Sequence, residues 1–116
     1  MAIERKHVNN RMSQVVAHGG LVYLAGQVAQ NVKGGSVAAQ TRDILTRIDQ
    51  LLAEAGTEKS KILTASVWLA DISTFNEMNS EWDSWVSQGN PPARACVESK
   101  LADPAFTVEI MVTAAQ

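Results

Sequence analysis

The hydrophobic positions follow two periods. Leu21-Val22-Tyr23-Leu24-Ala25 is a short run of β-type residues behind Gly19-Gly20. It predicts a strand paired with an earlier one over 13–17, through a turn at His18-Gly19-Gly20. Gly34-Gly35 breaks the pattern. From Ser36 the spacing changes: Val37, Thr41, Ile44, Leu45, Ile48, Leu51, Leu52 and Ala55 fall three or four apart, one stripe of an amphipathic helix. Ser36 can cap its first turn, and Gly56 stands where a left-handed C-terminal residue belongs. Over 62–70 the period is two, with Leu63, Ala65, Val67 and Leu69 on one side and Thr64, Ser66 and Trp68 on the other. A second helix is expected from Asp71 or Ser73, with Phe75, Met78, Trp82, Trp85 and Val86 as core anchors. Gln88-Gly89-Asn90-Pro91-Pro92 ends it. Strands over 93–98 and 106–114 follow. In the latter, Phe106, Val108, Ile110, Val112 and Ala114 alternate with Thr107, Glu109, Met111 and Thr113.

The expected order is β-β-α-β-α-β-β, a single α+β domain over 1–116. Two helices cover one face of such a sheet. The other carries Thr, Ser, Ala, Cys and Trp, too apolar for free solvent, and is expected to meet another subunit. The alternative is a monomer whose sheet is partly wet.

Composition bounds the function. The chain is 46% hydrophobic and 19% charged, as globular domains are. Its net charge of −2 and scattered Lys and Arg offer no basic stripe to nucleic acid. No apolar run approaches the ~18 residues that span a bilayer. One cysteine, Cys96, cannot make an internal disulfide, and residues 1–7 lack the apolar core of a signal peptide. The cytoplasm is the expected location. There is no phosphate loop, zinc pattern or nucleophile elbow, so no metal is expected.

Alternation puts Arg94, Cys96 and Glu98 on one side of their strand and Ala93, Ala95 and Val97 on the other. If the apolar set faces the helices, Arg94 and Cys96 share the uncovered face with Glu109. The planar guanidinium suits a carboxylate held by two parallel hydrogen bonds. A half-buried carboxylate can position or deprotonate water. The plain alternative is that Arg94 and Glu109 pair with each other. Cys96 reads as a small buried residue rather than a nucleophile, because His7 and His18 lie far back in the chain.

Pro92-Ala93-Arg94-Ala95-Cys96-Val97-Glu98, followed by Val108-Glu109-Ile110, resembles the C-terminal signature of the Rid family, the reactive intermediate deaminases of the YjgF/UK114 group. Ala25-Gly26-Gln27-Val28, Ala39-Gln40-Thr41 and Ser66-Val67-Trp68-Leu69-Ala70-Asp71-Ile72 agree in order. The resemblance implies a chorismate-mutase-like α+β fold, a mixed sheet with two helices on one face, closing into a homotrimeric barrel with clefts between subunits. It implies hydrolysis of small-molecule 2-imino or 2-enamino acids to 2-oxo acids and ammonia, without cofactor. Arg94 would bind the substrate carboxylate, and Glu109 and the backbone near Cys96 would hold the attacking water. The best-studied branch has a Tyr and a Ser where this chain has Met12 and Ala25. That departure suggests another subfamily, with a different substrate or weaker deamination. Two other classes remain: a binding protein for 2-oxo acids, which Met12 and Ala25 favour, and an endoribonuclease or translation inhibitor, which the acidic balance disfavours.

Overall fold

The computed structural model describes residues 2–116; Met1 lies outside them. Its elements are β1 (Glu4–Val8), β2 (Ser13–His18), β3 (Leu21–Leu24), α1 (Val37–Glu54), β4 (Ile62–Leu69), α2 (Phe75–Trp85), β5 (Ala93–Glu98) and β6 (Val108–Ala115). One six-stranded sheet runs β1-β2-β3-β6-β4-β5. Only the β4–β5 pair is parallel, because α2 carries the chain back between them. Both helices lie on the face bearing Val15, Val22, Val67 and Ile110, which with Ile44, Ile48, Leu51 and Met78 form the core.

The α1 boundaries follow from its caps. Ser36 Oγ accepts from the Ala39 amide at 3.1 Å, and Gly56 takes a φ of 77° past the last turn. Buried Gln40 ties α1 to the approach of β6: Nε2 donates to the carbonyls of Gly35 and Ala105, and Oε1 accepts from the Thr107 amide. That accounts for a fully buried amide in an apolar stripe.

Four expectations are corrected. Strand β1 was not anticipated; all its residues are exposed, and it is held by backbone pairing with β2. Leu63 does not join the core. A bulge lets Ile62 pair with Ala114 and Thr64 with Thr113, so Ile62 turns in and Leu63 turns out. The last strand begins at Val108 rather than Phe106. Helix α2 begins at Phe75, after a single 3-10 turn over Ile72–Thr74. Of its apolar stripe, Met78 and Trp82 are buried, whereas Phe75 is 38% exposed.

Tyr23, Val97 and Met111 project from the sheet face away from the helices and are 44%, 50% and 40% exposed. Trp68 lies among them, half-buried. No helix of the described residues is long and apolar enough to cross a membrane.

Candidate active site

Arg94 and Glu109 lie on opposite faces of the sheet. In β5, Arg94 pairs with Ala65 and Cys96 with Val67, and both partners are core residues on the helix side. Paired residues in a sheet share a face, so Arg94 and Cys96 point towards α2. Ala93, Ala95 and Val97 turn outward and are exposed. Glu109 pairs with Trp68 and belongs to the open face. The expectation that Arg94, Cys96 and Glu109 share the uncovered face is therefore wrong for β5. Its small residues face out, while the stem of Arg94 packs on the aromatic flank of α2, as long cationic side chains do.

Arg94 is half-buried at the sheet edge. Its Nη1 donates to Asn79 Oδ1 at 2.8 Å and lies 3.9 Å from the Met78 sulfur. No carboxylate pairs with it among the described residues. With Nη1 occupied, the Nε–H and Nη2–H groups have no acceptor there. These two nitrogens form the side edge of the guanidinium, the edge that grips a carboxylate through two parallel bonds. An Arg94–Glu109 ion pair within the chain is thus excluded by the geometry. Asn79 was missed in the sequence. Its signal was spacing: Phe75, Asn79 and Trp82 recur at four and three, one flank of the helix.

Cys96 is packed against the core, and burial pushes its thiol pKa up despite the nearby Arg94. A raised pKa leaves the thiol protonated at neutral pH, which suits a wall better than a nucleophile.

Glu109 is half-buried, and burial raises its carboxyl pKa. It makes no hydrogen bond or ion pair among the described residues. Gly26 is packed against it: a methyl there would collide with Glu109 Oε2. Ala25 and Met12 are at the same end. The Ala25 amide donates to the Gln14 carbonyl at 2.9 Å, and Gln14 Nε2 lies 3.4 Å from the Met12 sulfur. Buried Gln27 closes the group, its Nε2 donating to Gln14 Oε1 at 2.7 Å and to the Ala25 carbonyl at 3.0 Å. The candidate residues thus fall into two groups: Arg94, Asn79 and Cys96 beside α2, and Glu109 with Gly26, Ala25 and Met12 away from it.

A family model described as endoribonuclease L-PSP matches residues 3–116. A RutC family protein of Haemophilus influenzae is 45% identical over 114 residues, covering 98% of each chain. This chain belongs to the YjgF/RutC family. The RutC family protein YoaB of Escherichia coli is 39% identical over 99% of each chain. The crystal structure of NMB1025, a YjgF family member from Neisseria meningitidis, superposes with a TM-score of 0.96 at 43% identity, over 100% of this chain and 96% of that one. The Rid/YjgF membership read from Pro92–Glu98 and Val108–Ile110 is borne out, as is the α+β fold with two helices on one face. In this family member the two signature strands carry Arg94 and Glu109 to different faces of one sheet.

Proposed function

We propose that this protein is a deaminase of 2-imino or 2-enamino acids, acting in the cytoplasm at a cleft that a second copy completes. The observation that carries the reading is Arg94: a half-buried guanidinium without an anionic partner among the described residues, whose free Nε–Nη2 edge fits a carboxylate. A cation left half-desolvated and unpaired is costly, and a substrate carboxylate offsets that cost. The unpartnered Glu109 supplies the complementary need. It accepts a proton from water as the water adds to the imine carbon. The C–O bond forms as the C=N π electrons move to nitrogen. Glu109 returns that proton to nitrogen, giving the carbinolamine; the hydroxyl proton then passes to nitrogen as the C–N bond breaks, ammonia leaves and the carbonyl of the 2-oxo acid forms.

One chain cannot bring these groups together, since the sheet separates them. Apolar Tyr23, Val97 and Met111 on the open face favour association, and the family resemblance makes the assembly a homotrimer. Substrate then lies between Arg94 of one copy and Glu109 of the next. Light scattering across dilution is expected to give a trimer of the 12.5 kDa chain; a stable monomer removes the site.

A second reading is a binding protein that holds a 2-oxo acid without turnover. Met12 and Ala25 favour it, because neither offers a hydroxyl to orient substrate or water. One assay separates the two. An amino-acid oxidase generates imine in situ, and 2-oxo acid formation is followed with and without the protein. Acceleration that depends on Arg94 establishes the deaminase. Binding of 2-oxobutanoate with no acceleration, over small and large amino-acid side chains, leaves the binding protein.

A further inference from the structure

We propose that Trp82 and Phe75 are positioning residues for Arg94, whose rings fix its guanidinium plane so that the Nε–Nη2 edge is presented ready-made to a carboxylate. The inference rests on the anchoring role given to Arg94 above. The Arg94 guanidinium carbon sits over the Trp82 ring at 5.0 Å from its centroid and over the Phe75 ring at 5.8 Å. Both lie within the ~6 Å over which a cation is held by an aromatic face.

The choice of aromatic residues has a chemical consequence. An Asp or Glu at either position would also hold a guanidinium, but it would neutralise the charge and occupy its hydrogen-bonding edge. A ring attracts through the guanidinium face and leaves the in-plane N–H groups free. Trp82 and Phe75 therefore orient Arg94 without competing for the ligand. Asn79 completes the seat by taking Nη1 at 2.8 Å. All three project from one flank of α2, so a single rigid helix sets the geometry.

The two rings differ in what else they do. Trp82 is buried, with the Trp85 ring 5.4 Å away, and serves the core as well. Phe75 is 38% exposed, so the core has little need of it. An anchor already seated loses less rotamer freedom when ligand binds, and the gain appears as affinity.

The test uses 2-oxobutanoate as a non-reacting carboxylate probe, titrated calorimetrically into the intact protein and into Phe75→Leu, Trp82→Leu, Trp82→Phe and Arg94→Ala. The Arg94 Nε–H signal, identified by its loss in Arg94→Ala, is followed by NMR. Each leucine variant should bind about tenfold more weakly, the scale of one cation–π contact, while Trp82→Phe stays within about threefold. The Nε–H signal should move in both leucine variants. In turnover the loss should fall on KM rather than kcat. Phe75→Leu keeps the test sound if Trp82→Leu fails to fold. Leucine variants that bind like wild type, with an unmoved Nε–H signal and only a lower Tm, overturn the proposal. The deaminase reading fails separately: a wild type that binds the probe through Arg94 but forms no 2-oxo acid from imine removes that reading and leaves the positioning intact.

Discussion

The helix-side face and the open face of the sheet treat a charged group in opposite ways. On the helix side, Arg94 arrives with a hydrogen bond from Nη1 to Asn79 and two rings against its guanidinium. Its orientation is set before any ligand binds. On the open face, Glu109 meets the α-carbon of Gly26 and has no hydrogen-bond donor among the described residues. Its position is left to whatever covers that face. The proposed anchor is thus seated within one chain, and the group proposed to handle water is not. In the proposed assembly this division has a use: one subunit alone would build the carboxylate-binding half, while Glu109, whose pKa burial already raises within its own chain, would be desolvated further where subunits meet.

The largest effect is expected where the finished half is broken. Arg94→Ala removes two charge-assisted hydrogen bonds to substrate, roughly 1.5–3 kcal/mol each, so kcat/KM for imine should fall about a thousandfold. Arg94→Lys should fall nearly as far, since an ammonium has no planar fork. Steady-state assays on trimeric variants check both. A folded Arg94→Ala enzyme as fast as wild type would sink the mechanism.

Breaking the unfinished half should act on turnover. Glu109→Gln keeps shape and removes the base, so kcat should drop about a hundredfold, the lower part of the general-base range, with 2-oxobutanoate affinity unchanged or improved. The pH profile sharpens the point. Burial raises the Glu109 pKa above the 4.5 of a free carboxyl, and the proposed base acts in its ionised form. Wild-type kcat should therefore climb with pH along an acidic limb centred above 4.5. The Gln variant should lack that limb. The stability sign is opposite. The folded state holds the proton more tightly than the unfolded chain, so wild type should lose stability relative to Glu109→Gln as pH rises through the raised pKa.

Gly26→Ala probes the contact that seats Glu109 within the open-face half. The new methyl meets the free end of the Glu109 side chain rather than backbone, so the fold should survive while the carboxylate moves. A loss of about tenfold in kcat is expected for a displaced base, with Tm within a few degrees of wild type on the scale of ~1 kcal/mol. Unchanged kcat would mean that the seat of Glu109 on Gly26 is incidental.

The same comparison explains how much was legible beforehand. The stripe of α1, its Ser36 and Gly56 caps, and the alternation over 108–114 were readable because each element has one apolar side. Strand β1 was not, because Glu4, Arg5, Lys6, His7 and Val8 form an exposed edge with no apolar side, held by backbone pairing with β2 and by the His7–Glu54 contact. Leu63 misled because a bulge changes the parity of a strand without changing its composition. Arg94 and Glu109 were singled out in the sequence, yet the face of β5 that bears Arg94 was assigned wrongly. Ala93, Ala95 and Val97 look more apolar than Arg94, Cys96 and Glu98, but β5 is an edge strand over which α2 leaves room for a long stem. Only the register with Ala65 and Val67 decides the matter. Asn79 offered only its spacing with Phe75 and Trp82, and Gly26 only its place in a motif; their contacts with Arg94 and Glu109 emerge from packing.

Cys96 gives the smallest and most selective test. It shares a strand face with Arg94, so a nucleophilic thiol would make the helix-side half catalytic rather than merely anchoring. Burial raises its pKa, and no histidine approaches it to take the proton. Water can add to an imine directly, so a covalent intermediate offers no advantage. Cys96→Ala should keep kcat and KM within about twofold, under ~0.5 kcal/mol in transition-state binding. The loss of a half-buried sulfur should cost stability of about 1 kcal/mol or less. Iodoacetamide should label the native protein slowly, because the thiolate is scarce. Intact-mass measurement during turnover should show no adduct on the chain. An adduct retained by wild type and absent from Cys96→Ala would transfer the chemistry to the Arg94 side and leave Glu109 as a bystander.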